Sequence, residues 1–185
     1  MKKLSHKDVC VEFKFNISKN TCPFDRLYDR VSSSKYELDF DVFLPTKGFN
    51  LQRPLVWTLH QKQQFILSIM KGLAIPKIAV IRHVNEDDST VWQIIDGKQR
   101  ISTYLQYVAG EFPIIHNGIE YFFKDLDELF QFKMNTYDFY GDIAYSYWDK
   151  PISDDDKILW FNQINFAGTP QDEEHMNMLL SVTKI

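Results

Sequence analysis

The run Ile94-Ile95-Asp96-Gly97-Lys98-Gln99-Arg100-Ile101-Ser102-Thr103 holds the residues best placed to do chemistry. An apolar stretch that ends in Asp-Gly and then takes up helical periodicity reads as strand, sharp turn, helix. The first turn of such a helix aims unpaired backbone N–H groups and a partial positive charge at one spot. With Arg100 and the Asp96 carboxylate beside it, that spot can hold a phosphate and its metal ion. Each residue also has a plainer reading. Asp96 can order a magnesium ion or a water next to phosphates, or it can cap the following helix. Arg100 can grip a phosphate in bidentate fashion, or sit in an ordinary salt bridge on a helix.

A second segment, Phe49-Asn50-Leu51-Gln52-Arg53-Pro54-Leu55-Val56-Trp57, is loop-like, because Pro54 forbids a regular helix. The proline stiffens the backbone that presents Arg53, which makes a phosphate contact there more telling than a chance ion pair. Gln52 and Gln99 can hydrogen-bond a base or a phosphate, or satisfy buried backbone. Asn165 can close a pocket, or be the asparagine common near helix C-termini. His60, His83, His116 and His175 are scattered without ligand spacing. The run Asp154-Asp155-Asp156 reads as charge complementing a helix start rather than as a metal site.

These residues need elements to position them. Val9, Val11, Phe13, Phe15 and Ile17 alternate with polar residues, which predicts a strand. Pro23 to Ser32 reads as a short helix and Tyr36 to Leu44 as extended chain. Thr58 can cap a helix to about Lys71, with Phe65, Ile66, Ile69 and Met70 inward and Gly72 ending it. Lys77 to His83 and Thr90 to Ile95 read as a hairpin around an acidic turn. A helix follows from about Lys98 to Ala109. Asn117-Gly118 predicts a second hairpin between Pro113–Ile115 and Ile119–Phe123. Asp125 to Met134 reads as a helix with Leu126, Leu129 and Phe130 inward, and Phe139 to Tyr147 as a strand. Ser153 with Asp156 resembles a capping box, opening a helix that Gly168 ends. Thr169-Pro170 opens another, with Glu173 and Glu174 in its first turn. Trp92 and Trp148 are expected in the core and Trp57 beneath its loop.

At 185 residues, 44% hydrophobic and 15% aromatic, the chain can bury a core without staples. Disorder is not expected. No apolar run has the length of a membrane span and no secretory signal opens the chain, so a cytoplasmic, membrane-free protein is expected. Cys10 and Cys22 belong to no Cys-x-x-Cys or Cys/His cluster, which argues against structural zinc and for reduced thiols. A net charge of −4 rules out a surface that is basic throughout.

Taken in order, Gln52-Arg53-Pro54-Leu55-Val56-Trp57, then Ile75-Pro76, then Asp96-Gly97-Lys98-Gln99-Arg100, resemble the amino-terminal domain of GmrSD-type modification-dependent restriction enzymes. That domain falls in the ParB/sulfiredoxin-like superfamily. The segment Phe161-Asn162-Gln163-Ile164-Asn165-Phe166-Ala167-Gly168-Thr169-Pro170 is similar to a third family element. Lys98 stands where the family usually has glutamine.

The resemblance implies an α/β (α+β) domain with a small mixed sheet and flanking helices, occupying 1–185, with 150–185 as a helical extension packed on it. It implies a nucleoside triphosphate with Mg²⁺, bound by Gln52, Arg53, Gly97, Lys98, Gln99 and Asn165. Asp96 and Arg100 would be catalytic, with Asp96 on the metal. It further implies a role in restricting foreign or modified DNA, and a nuclease or other defence protein, DNA, or a second copy of the chain as partners. Larger members continue into an HNH-type nuclease, for which this chain leaves no room. Sulfiredoxin chemistry needs a cysteine at the Gly97-x-x-Arg100 turn, where none stands. Two functions remain open: a nucleotide-binding domain that hydrolyses its ligand, and a non-catalytic interaction module. A ParB-like nuclease is less favoured, since no cluster of metal-binding carboxylates is evident.

Overall fold

The computed structural model describes residues 13–34 and 36–166. The described residues form nine strands: β1 Ile17–Phe24, β2 Glu37–Asp39, β3 Phe43–Leu44, β4 Phe49–Asn50, β5 Ile78–Val84, β6 Thr90–Asp96, β7 Ile114–His116, β8 Ile119–Tyr121 and β9 Phe139–Tyr147. The α-helices are α1 Leu27–Ser32, α2 Leu59–Met70, α3 Lys98–Val108, α4 Glu128–Asn135 and α5 Asp154–Phe166. Five strands make one mixed sheet in the order β1-β9-β5-β6-β2. The β1/β9 and β5/β6 pairs are antiparallel, and β9/β5 and β6/β2 are parallel. The fold is therefore mixed α/β with flanking helices.

Period-two alternation explains why both sheet faces are covered. Ile78 and Val80 of β5, Trp92 and Ile94 of β6, and Phe139 and Ile143 of β9 enter one core with α2 and α3. Their neighbours Ala79, Ile81, Ile95 and Ala144 enter a second core with Ile158, Trp160 and Phe161 of α5. α3 places Ile101, Tyr104 and Val108 inward, at helical spacing. Thr58 caps α2 in a reciprocal box with Gln61. Asn117 and Gly118 both have positive φ, at 51° and 77°, as a tight hairpin turn requires.

Besides the first helix, which begins only at Leu27 because Pro23 and Phe24 belong to β1, three expectations need correction. Phe13 and Phe15 precede the strand, which begins only at Ile17. Both pack against the second core, and Phe15 meets Trp160 edge-on at 5.6 Å. Alternation there marks which side of the chain is buried, not a ladder; Val9 and Val11 lie outside the described residues. Second, α4 starts at Glu128, capped by Asp127, after a short 3-10 turn at Phe123–Asp125. Leu126 thus precedes the helix, its spacing to Leu129 and Phe130 has no helical meaning, and the buried residue is Met134. Leu129 is 60% exposed. Third, Trp148 is exposed, because β9 ends at Tyr147 and the chain turns back to pair Tyr147 with Lys150. The expected helix end at Gly168 and the helix after Thr169-Pro170 lie outside the described residues.

Candidate functional site

β6 ends at Asp96, and α3 begins two residues later. Between them Gly97 has φ +110°, and a Cβ there would lie 2.5 Å from Ile78 Cγ2. Glycine is therefore needed twice, for the backbone and for the space. No side chain of the described residues caps α3, and its first turn carries no acidic residue. Asp96 does not serve as the cap. Its carboxylate instead accepts from Arg100 Nη2 at 2.7 Å.

The junction gathers distant chain segments. Arg100 Nη1 donates to the Pro76 carbonyl at 2.6 Å, so the arginine ties α3 to the start of β5. Those two bonds use two of five guanidinium donors, leaving N–H groups for an anion. Gln52 Nε2 donates to the carbonyls of Ile94 and Ile95 at 2.9 and 2.5 Å. It does so just past Gln93, where β2 stops pairing with β6. Gln99 holds the same loop from the other side. Its Oε1 accepts from the N–H groups of Val56 and Trp57 at 3.1 and 3.2 Å, and its Nε2 donates to the Pro54 carbonyl at 3.0 Å. Trp57 then packs edge-on against Phe65 of α2 at 5.4 Å. Both glutamines satisfy backbone here. Lys98 is buried and donates to Asp41 at 2.6 Å.

A cavity of about 310 Å³ opens at this junction. Its wall contains every residue singled out from the sequence: Gln52, Arg53, Asp96, Gly97, Lys98, Gln99, Arg100 and Asn165. Asn165 reaches it from α5, with its Nδ2 donating to the Phe161 carbonyl at 2.8 Å. Sequence reasoning missed Trp57, Pro76 and Phe161 as wall residues. Trp57 and Pro76 were nonetheless inside the segments that carried the resemblance, as was Phe161.

Among the described residues, the wall carries the cations Arg53, Lys98 and Arg100 against the single carboxylate Asp96. Arg53 is half-buried and has no ion pair among the described residues. No group of three or more His, Cys, Asp or Glu fit for a metal occurs among the described residues. One carboxylate does suit magnesium, which is commonly held by one or two carboxylates together with substrate phosphates. The donor set would suit a metal that is also held by phosphate oxygens, and does not suit a metal held by these side chains alone.

The fold and cavity define a mixed α/β domain with a basic pocket at a strand–glycine–helix junction. The chain belongs to the family of GmrSD restriction endonuclease N-terminal domains, whose family model matches residues 33–180. At the level of the family, that is a role in restriction of modified DNA. No curated protein and no solved structure matches the chain. Among the described residues no helix is long and apolar enough to cross a membrane.

Proposed function

We propose that the cavity binds a nucleoside triphosphate with Mg²⁺ and that the domain hydrolyses it in the service of DNA restriction. The observation that carries this reading is Arg53, a half-buried cation without an ion pair among the described residues, set in one wall with the uncapped start of α3. Burying a cation without a partner costs free energy, and an anionic ligand offsets that cost. The α3 N-terminus adds N–H groups and a favourable dipole for the same charge.

The residues divide the work. Arg53 and the free donors of Arg100 hold phosphate oxygens, and Gly97 lets the backbone approach them. Asp96 would hold the metal, which supplies neutralisation of phosphate charge when bound. Hydrolysis breaks the bond between the terminal phosphorus and its bridging oxygen as water bonds to phosphorus, and positioning plus electrostatics supply most of the help such a step needs. Gln52, Gln99 and Lys98 fix the loop and helix around the ligand.

A melting panel of nucleotides with and without magnesium tests this. A ligand at one hundred times its Kd stabilises the fold by about 2.7 kcal/mol. The shift should require triphosphate and shrink by at least half in Arg53→Ala; no shift with any nucleotide would reject the reading. A second reading, a non-catalytic interaction module, is favoured by the apolar residues Ile119, Leu129 and Phe132, which are 56–60% exposed. A silent nucleotide panel would leave that one standing.

A further inference from the structure

A cavity of about 590 Å³ lies at the other end of β5 from the phosphate pocket. The nucleotide cavity meets β5 beside Ile78, whereas Trp148, which follows the second cavity's Tyr147, donates its N–H to the Val84 carbonyl at the strand's far end. Seven residues of strand separate those ends by roughly 20 Å. Its wall includes Lys14, Asn16, Tyr145, Tyr147, Lys150 and Asp156. Of the wall's tyrosines, Tyr145 is 39% exposed and Tyr147 44%. Lys14 and Lys150 are exposed and in no ion pair among the described residues.

We propose that this cavity takes an unstacked nucleotide of a DNA strand. Exposed aromatic faces beside lysines are the two parts that binding of single-stranded nucleic acid requires, one for base faces and one for phosphates. A duplex hides its base faces, so the rings select a strand that is single or has one base turned out. The volume lies within the range of sites for small ligands. Charge sets the orientation. Asp156 on the wall repels a phosphate placed inside, so the base enters and the flanking phosphates stay on the rim with Lys14 and Lys150. The Arg82↔Tyr145 register sets a further cation beside the tyrosine. DNA, rather than another anion, is the occupant that matches the family's restriction of modified DNA.

The test is fluorescence anisotropy of a labelled DNA strand and of its duplex with the full chain at low salt. The strand should bind more tightly than the duplex. Tyr145→Ala with Tyr147→Ala should weaken strand binding at least about fivefold. Lys14→Glu with Lys150→Glu should weaken it too and make the log–log salt slope shallower by about 1.4. These side chains are exposed, so melting should stay at the wild-type value, and Arg53→Ala should bind the strand as wild type does. Failure of the nucleotide panel leaves this outcome untouched, so the two readings fail separately. Equal affinity in wild type and both double variants, preference for duplex, or loss of the strand in Arg53→Ala would each overturn the proposal.

Discussion

Gln99 and Pro54 stand forty-five residues apart, and the Gln99 amide donates to the Pro54 carbonyl at 3.0 Å. The same side chain accepts two N–H groups from Val56 and Trp57. One glutamine thus holds the loop that presents Arg53. Gln99→Leu removes all three bonds at about the same size. The stability cost should be about 1–2 kcal/mol, near the low end because part of the loop is exposed. Nucleotide affinity should fall as well, although Gln99 need not touch phosphate. Urea unfolding and calorimetry of the variant check both outcomes.

The two arginines should separate. Arg53 has no ion pair among the described residues, so Arg53→Ala should melt at or slightly above the wild-type temperature without ligand and lose nucleotide affinity by about 1.5–3 kcal/mol, the range for a hydrogen bond to a charged group. Arg100 is bonded to Asp96 and to the Pro76 carbonyl, with its side chain only 12% exposed. Arg100→Ala should lower both melting temperature and affinity. Equal melting of the two variants would contradict the division.

Lys98→Gln keeps a long polar side chain at the start of α3 and removes its charge. It breaks the ion pair with Asp41, whose side chain is 62% exposed. Solvent screens such a pair, so the cost should stay below about 1 kcal/mol. A denaturation midpoint close to wild type is the expected result, and a cost of several kcal/mol would show that exposure of Asp41 does not screen the pair.

Gly97→Ala should cost about 1–3 kcal/mol from backbone strain, plus the overlap with Ile78. Gly110 is the control, with φ +80° and nothing within 4 Å of an added Cβ. Gly110→Ala therefore reports strain alone. Comparison of the two unfolding free energies isolates the overlap, which is refuted if they match.

Stability should also fall with acidity. Burial, with the charge of Lys157 second, holds His83 below its ordinary value of 6.5. The unfolded chain then binds its proton at a higher pH than the native state does. This contribution to stability is fully present above 6.5 and is lost as pH falls toward the native value. His83 Nδ1 pairs with Ser146 Oγ at 2.9 Å. His83→Asn keeps a polar partner for the serine and removes the titration. Melting temperatures of the variant should show a flatter slope between about pH 7 and 5.5 than wild type.

Local rules carried much of the fold. β9 spans Phe139–Tyr147 as its alternation predicts, and the change to helical period falls at Gly97, where the strand–helix boundary lies. The site was legible as a set of residues because backbone-constrained positions, Pro54 and Gly97, stand among its polar side chains. Its wiring was not. That Arg100 would bond the Pro76 carbonyl depends on where β5 begins relative to α3, a tertiary distance with no local pattern. β9 lies between β1 and β5, and that order follows from packing of both sheet faces rather than from any single segment. Trp148 was misplaced for a related reason: a large aromatic enters a core only if the sheet still has cover at that point.

Helix α5 supplies Asp156 to one cavity and Phe161 and Asn165 to the other. Nine residues of helix separate Asp156 from Asn165, a rise of roughly 13–14 Å. Trp160 and Phe161 are locked in the second core, so the helix moves as a rod or not at all. A ligand at either end that prefers one seating of this rod changes the affinity at the other end, and reciprocity requires both changes to have the same factor. DNA and nucleotide would then each report the other's occupancy through a shared lever, with no residue in contact with both.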